Sequence, residues 1–320
     1  MSAVGLGRMG MSGMYGMADR KESIATIHAA LDAGVTLLDT GDFYGMGHNE
    51  MLIAEALAGR DREQALISVK FGAQRGPDGS WLGYDASPAA VKTACAYSLQ
   101  RLRTDHIDIY RPARLDQNVP IEETVGAIAD LVKAGYVRHI GLSEVGAETI
   151  RRAAAVHPIS DLQIEYSLIS RGIERSILPT CRELAIGITA YGVLSRGLIS
   201  GHYRPDAQPQ GGDIRGRMPR FQGENLQRNL ALVDELRAVA ENKHASVAQV
   251  AFAWALSRGE DVVPLIGARR PDQLTEALGA LELELSPKDL ERIEETIPPG
   301  AAAGERYGAP QMADLDSERA

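Results

Sequence analysis

The sequence predicts an α/β protein folded as a single (β/α)8 TIM barrel over residues 1–320, on three observations. Short β-rich runs alternate with longer helical runs from end to end. Several of the β-rich runs are apolar nearly throughout, as parallel strands buried on both faces are. No linker-like break in composition divides the chain. Eight strands alternating with about eight helices argue for a closed barrel. A doubly wound sheet is the structural alternative, but it wants a GxGxxG turn after its first strand. Here that strand leads into GLGRMGMSG, whose glycines are spaced differently.

The first strand is SAVGLG, near Ala3. KESIATIHAALDAG follows as a helix with Ile24, Ile27, Ala30 and Leu31 on one face, stopped at Gly34. VTLLD, ending at Asp39, is the second strand, and HNEMLIAEALAG is a helix ending at Gly59. ALISVKF, ending at Phe71, is the third strand. Ser87 caps and Pro88 opens the helix that runs through Leu102. IDIYRP from Ile107 is the fourth strand, followed by the helix VPIEETVGAIADLVKAG, ending at Gly135. The remaining strands are VRHIGLS ending at Ser143, LQIEYS from Leu162, GITAYGV ending at Val193 and VVPLIGA ending at Ala268. A long Pro/Gly/Gln-rich loop, Ser195 to Gly223, follows the seventh strand, and loops of that length are usually functional or disordered. The tail from about 298 to 320 reads as irregular, with Tyr307, Gln311 and Met312 placed to fold over the barrel mouth. Strand one begins almost at Met1, without an N-terminal hairpin to close the barrel bottom. Either translation starts further upstream or the bottom is open. An open bottom predicts low stability or a partner covering exposed apolar surface.

Composition narrows the function. The 320 residues are 44% hydrophobic, ordinary for a globular protein, and carry a net charge of −9 with both signs mixed. That balance argues against a nucleic-acid binder, which needs a basic surface. Cys95 and Cys181 read as reduced, buried thiols. No apolar run approaches the ~20 residues that span a bilayer, and the N-terminus lacks the apolar segment of a signal peptide. The expectation is a soluble, cytoplasmic protein with no membrane or nucleic-acid partner and an open oligomeric state.

Barrel chemistry sits at the C-terminal ends of the strands. Asp39 ends strand two, Tyr44 lies just beyond it, and Lys70 lies near the end of strand three. A free phenol ionises near pH ~10. A neighbouring Lys⁺ stabilises the phenolate and lowers that pKa, and a carboxylate can hold the lysine in place. The trio therefore suggests a site that protonates a carbonyl oxygen, although taken alone the three also read as ordinary strand-end polar residues. The seven histidines are scattered and give no H-x-x-x-H pair, so no metal is expected.

The trio stands within GLGRMGMS, GVTLLDTGDFYGMGHNE, SVKFG, HIDIYRPARLDQNVPIEETVGA, VRHIGLSEVG, LQIEYSLISR, ITAYGVLSRGLISG and PLIGARRPDQLTEALGAL. These colinear stretches cover nearly the whole chain. They resemble the aldo-keto reductases, especially the bacterial and fungal branch related to potassium-channel β subunits. The resemblance implies reduction of an aldehyde or ketone by NADPH, or the reverse oxidation. It makes Tyr44 the general acid, with Lys70 lowering its pKa and Asp39 pairing with Lys70.

The same resemblance implies a fourth catalytic residue, a histidine in a pattern like Y-x-Q-H-x-x-D. Here the stretch is Tyr110-Arg111-Pro112-Ala113-Arg114-Leu115-Asp116, with Ala113 in the histidine's place. His106 precedes the strand and is expected at the barrel bottom or surface. Losing one such donor costs ~10²–10³ in turnover by analogy with oxyanion donors. Three outcomes are open: Arg111 or Arg114 replaces the donor, a water does, or the chain turns over slowly. The last would make it an NADP(H)-binding regulatory or sensor protein. Arg114 is read in the first instance as a surface charge or a partner of Asp116. Arg111 shares strand parity with Ala113 and is placed on the same face.

For the cofactor, the resemblance makes Tyr191 the nicotinamide-stacking residue and Ser143 and Gln163 the carboxamide contacts. Glu144 stands where the family often has Asn, and a carboxylate cannot donate. Pyrophosphate and adenosine contacts are expected from Leu194, Ser195, Arg196, Gly197 and Leu198, and from IGARRPDQLTEA at a helix N-terminus. The second segment contributes Ile266, Gly267, Arg269, Arg270, Gln273 and Glu276, with Ala277 in place of a frequent Asn. Arg269 and Arg270 suit a 2′-phosphate, favouring NADPH over NADH. Tyr15, Phe43, Trp81 and Tyr84 are expected to line an aromatic pocket for a small-molecule carbonyl substrate, with Arg111 favouring an anionic one.

Overall fold

The computed structural model describes residues 1–204 and 213–319. Among the described residues there are ten strands: β1 Gly5–Gly7, β2 Leu37–Gly41, β3 Leu66–Phe71, β4 Ala73–Arg75, β5 Trp81–Tyr84, β6 Ile107–Pro112, β7 Val137–Ser143, β8 Asp161–Glu165, β9 Gly187–Tyr191 and β10 Val262–Gly267. Eight of them close a parallel barrel in the order β1-β10-β9-β8-β7-β6-β3-β2. All eight expected strands are present. Helices fill the crossovers, and two of them, Gly223–Asn242 and Val247–Leu256, separate β9 from β10.

The two faces of the strands divide the core. Leu6, Leu38, Val69, Tyr110, Leu142 and Ile164 point outward into the large apolar layer beneath the helices. A small apolar cluster of Leu37, Ile109, Val263 and Leu265 fills the inside. Above it the barrel interior turns polar, with Asp39, Ser68, Lys70, Arg111, Asp161, Gln163 and Thr189 all buried. This polar layer needs room, and Gly141 on β7 supplies it. A Cβ there would lie 2.4 Å from Asp161 Oδ1 and 3.2 Å from Arg111 Nε. At the opposite, N-terminal end, His139 is exposed beside Ile109 on the neighbouring strand.

Local sequence explains the element ends. Ser87 Oγ accepts from Ala90 N and Pro88 opens the helix Pro88–Leu102, as the Ser-Pro pair predicts. The β4–β5 hairpin was not expected. Its turn is Gly76-Pro77-Asp78-Gly79-Ser80, a composition that favours reversal, and Gly76 and Ser80 bond across it at 2.9 Å. Gly72 (φ 89°) starts the hairpin, and a Cβ there would meet Asp85 O at 2.8 Å. The tail is more ordered than the sequence suggested. It holds a short helix, Ala309–Ala313, and a 3-10 turn, Asp316–Glu318. Part of the expected loop from Ser195 to Gly223, residues 205–212, lies outside the described residues. The rest carries 3-10 turns at Ser195–Gly197, Ile214–Arg217 and Pro219–Phe221.

Candidate active site

Asp39, Tyr44 and Lys70 converge at the C-terminal mouth. Pairing of β2 with β3 sets Asp39 beside Ser68 and Gly41 beside Lys70. Lys70 Nζ donates to Asp39 Oδ2 at 2.6 Å, while Ser68 Oγ (3.2 Å) and Gln163 Nε2 (2.7 Å) donate to Oδ1. Both carboxylate oxygens are thus committed to holding neighbours. Tyr44 enters by a tight turn: its N–H donates to Gly41 O at 3.1 Å, and its carbonyl accepts from Asn49 N at 3.2 Å. Phe43 packs edge-on against it at 4.8 Å. Lys70 Nζ lies 5.0 Å from the Tyr44 ring centre.

Burial pushes the Tyr44 phenol well above its ordinary pKa, and Asp39 adds to the shift. The sequence led to the opposite expectation, that Lys70 lowers it. The physical reason is that Asp39 cancels much of the lysine's field, while a desolvated site penalises the phenolate. Burial also pulls Lys70 down to about 8, against the opposing pull of Asp39.

Around the position expected for a histidine, the structure corrects both arginine readings. Ala113 sits at the end of β6, buried, with its N–H on Phe71 O at 2.8 Å. Arg111 is not a mouth residue. It is fully buried inside the barrel, 2.9 Å from Asp161 Oδ2 and donating to Ser68 Oγ at 2.8 Å, and this pairing removes it as a substrate contact. Arg114 is neither a free surface charge nor a partner of Asp116, whose carboxylate instead accepts the backbone N–H groups of Ala86 and Asn118. Its Nη1 folds back onto Ala113 O at 2.6 Å. Its charge acts on both Tyr44 and Lys70. His106 lies at the far end of β6, bonded to Asp105, as its place before the strand implied.

The expected cofactor residues spread over the same mouth. Ser143 and Gln163 are register partners on β7 and β8, and the buried Ser143 Oγ has no hydrogen-bond partner among the described residues. Ser195 Oγ is likewise buried and without a partner among the described residues, in a loop where Ser195, Arg196 and Gly197 all have positive φ (45°, 59° and 90°). Leu194 and Leu198 flank it, the latter fully buried. Ile266 points outward into the helical layer, so only its backbone faces the mouth, whereas Gly267 is exposed there. Arg269 lies across the β1 loop, donating to Tyr15 O at 3.1 Å, and its N–H is held by Gln273 Oε1 at 3.0 Å. Arg270 pairs with Asp272 at 2.8 Å and Glu276 with His202 at 2.8 Å. Two open hydroxyls, the Gln163 amide and Arg269 form a donor set that fits a carboxamide at one end and a phosphate at the other.

Tyr191 ends β9 and carries its hydroxyl into a cluster the sequence did not reveal. Glu144 (φ 54°) accepts from Tyr191 Oη at 2.8 Å, from Arg306 at 2.9 and 2.6 Å and from Ser317 Oγ at 2.6 Å. Tyr307 Oη lies 3.0 Å from Tyr191 Oη. Glu165, also buried, pairs with Arg196 at 3.0 Å and Arg306 at 3.4 Å. Burial opposes ionisation of Glu144, but Arg306 outweighs it and holds the carboxyl well below its ordinary range. Strand parity could have found Glu165, two residues beyond Gln163 on the same face. Arg306 gave no signal beyond being a charged residue in an Ala/Gly-rich tail. Of the expected tail contacts, Tyr307 does reach the mouth. Arg8, just past β1, was also missed. It is fully buried, its three guanidinium nitrogens have no partner among the described residues, and burial lowers its pKa to about 9.

The aromatic residues are present at the rim. Trp81 and Tyr84 pack edge-on at 4.9 Å on β5, with Trp81 exposed, and Tyr15 lies beneath Arg215 at 5.8 Å.

The family model described as the aldo/keto reductase family matches residues 3–298. A probable aldo-keto reductase 1 from Glycine max is 43% identical over 310 residues, covering 96% of this chain and 88% of that protein. Among solved structures, a glycerol dehydrogenase from Gluconobacter oxydans superposes with a TM-score of 0.85 at 31% identity, covering 92% of this chain and 91% of the other. An aldo-keto reductase from Klebsiella pneumoniae in complex with NADPH gives 0.73 at 25% identity, covering 95% of each chain.

Proposed function

The chain belongs to the aldo/keto reductase family, oxidoreductases of carbonyl and alcohol groups, and from that premise we propose that Tyr44 is the proton donor of an NADPH-dependent carbonyl reduction. The observation that carries this reading is the Asp39–Lys70 pair, 2.6 Å apart, with Lys70 Nζ 5.0 Å from the Tyr44 ring centre. The Klebsiella pneumoniae relative was solved with NADPH, and the donor set of Ser143, Gln163, Ser195 and Arg269 suits that cofactor here.

When bound, the nicotinamide supplies hydride to the carbonyl carbon. The chain supplies the rest. Tyr44 Oη donates its proton to the carbonyl oxygen, giving the alcohol. Its raised pKa keeps that proton in place at neutral pH. The negative charge left on the phenolate is opposed by the Lys70 ammonium, 5.0 Å from the Tyr44 ring centre and held in register by Asp39. Arg114 adds a second positive charge on the same side. Ser143 and Gln163 would hold the carboxamide, the Tyr191 ring would offer a stacking face, and Arg269 would take the 2′-phosphate. In the reverse direction Tyr44 accepts the proton, so the same residues serve alcohol oxidation.

A second reading, an NADP(H)-binding sensor with little turnover, is favoured by one observation: Ala113 offers no side-chain donor. Steady-state NADPH oxidation over a panel of aldehydes and ketones separates the two. Turnover on several members of the panel supports carbonyl reduction. Tight NADPH binding without single-turnover oxidation on any of them supports the sensor.

A further inference from the structure

We propose that the substrate of this site is a carbonyl compound that also bears a carboxylate, and that Arg114 is the residue that binds that carboxylate. The inference deepens the carbonyl-reduction reading and rests on it.

The argument begins with charge balance. Four arginines around the mouth and the interior beneath it have carboxylate partners: Arg111 has Asp161 at 2.9 Å, Arg196 has Glu165 at 3.0 Å, Arg220 has Glu165 at 3.5 Å and Arg306 has Glu144 at 2.6 Å, while Arg269, on the expected phosphate side, donates to the carbonyls of Tyr15 and Met17. Arg114 differs from those four. Its hydrogen bond among the described residues is to a neutral carbonyl, Ala113 O, through Nη1. That leaves the edge formed by Nε and Nη2 to a ligand. Arg114 is partly exposed, and Glu144 acts on it without coming into contact, so a carboxylate placed at the open edge would add a charge-assisted pair that the chain itself does not supply.

Position makes the anion a part of the substrate. β6 pairs with β3 so that Arg111 stands beside Lys70 and Pro112 beside Phe71. Ala113 N continues the ladder onto Phe71 O. Arg114 therefore leaves the barrel at the mouth, three residues beyond the one that stands beside Lys70, on the neighbouring strand. Ala113 presents only a methyl group there, so the side chain that follows it can lean over the reacting position. The planar guanidinium edge matches a carboxylate with two parallel hydrogen bonds, which an ammonium does not reproduce. The 2′-phosphate of the cofactor is the other possible anion, and Arg269 and Arg270 stand where that phosphate is expected.

Two substrates of equal shape test the proposal: 4-carboxybenzaldehyde and methyl 4-formylbenzoate, each with NADPH. The wild-type protein is expected to favour the acid by about 10- to 100-fold in kcat/KM, the loss typical of one charge-assisted contact. Arg114→Met is expected to bring the ratio near one, and Arg114→Lys to restore part of it. Benzoate binding to the NADPH complex, followed by cofactor fluorescence, gives a readout that needs no turnover. If neither aldehyde reacts but benzoate binds and is lost in Arg114→Met, the carbonyl-reduction reading fails while the carboxylate site stands. An acid-to-ester ratio near one in the wild-type protein, with benzoate binding absent or unchanged in Arg114→Met, overturns the proposal. So does a tenfold weaker NADPH affinity in Arg114→Met with the ratio preserved, which would assign the guanidinium to the cofactor.

Discussion

At the scale of residues, the site is a contest between desolvation and charge. Lys70 shows it most directly: burial outweighs Asp39 and brings its pKa down to about 8. The charged form is the one that supports the Tyr44 phenolate, and it is present below that value. Reduction measured as kcat/KM is therefore expected to fall as pH rises through about 8. In Lys70→Met the inflection should vanish and the rate should drop by ~10²-fold or more. A wild-type profile flat from pH 6 to 9.5 would show that the lysine's charge does not act on the proton transfer. The trio itself was legible in the sequence because each member sits at a strand end, where barrels place chemistry. The pKa direction of Tyr44 was not legible. It depends on how completely the mouth excludes water and on how closely Asp39 pairs with Lys70, and spacing alone carries neither.

At the scale of elements, the C-terminal tail is the part the sequence described least well. Its Ala/Gly/Pro-rich composition predicts irregular chain, yet Arg306, Tyr307 and Ser317 lock it onto Glu144 and Tyr191. Asp316 Oδ2 adds a bond from Gly146 N at 2.8 Å. Those contacts join residues more than a hundred positions apart, so no local pattern could announce them. Arg306→Met would leave the Glu144 carboxylate buried without its main partner. Breaking such a pair costs about 3–5 kcal/mol. Denaturant melts should show a loss of that order, with faster proteolysis after residue 298. The double variant Glu144→Gln with Arg306→Met should recover part of it. Because the Glu144 pKa is lowered, the pair's stabilisation is full above the ordinary glutamate range near ~4.3. It is lost as pH falls through and below that range. Equal stability of Arg306→Met and wild type at pH 7 would mean the tail is held by other contacts. The β4–β5 hairpin is a milder case: its Gly-Pro-Asp-Gly-Ser turn was visible, and the strands beside it were too short to stand out from a loop.

At the scale of the whole molecule, alternation of apolar strands and amphipathic helices was enough to predict the barrel, because that pattern has few other ways to bury its apolar faces. Eight strands expected from the sequence are the eight that close it. The barrel then fixes which side chains meet. Asp39, Lys70 and Gln163 come from three strands of one polar layer, while Arg111, on the same face by parity, is held deeper by Asp161. Depth within the barrel depends on strand stagger, which the sequence does not carry. Among the described residues no helix is long and apolar enough to cross a membrane. The central claim is that Tyr44 gives up the proton during hydride transfer. Single-turnover oxidation of bound NADPH by an aromatic aldehyde, in wild type and in Tyr44→Phe, tests it most directly. A fall of ~10²-fold or more in the transfer rate, with NADPH affinity unchanged, is the predicted result; transfer at the wild-type rate in Tyr44→Phe would contradict it.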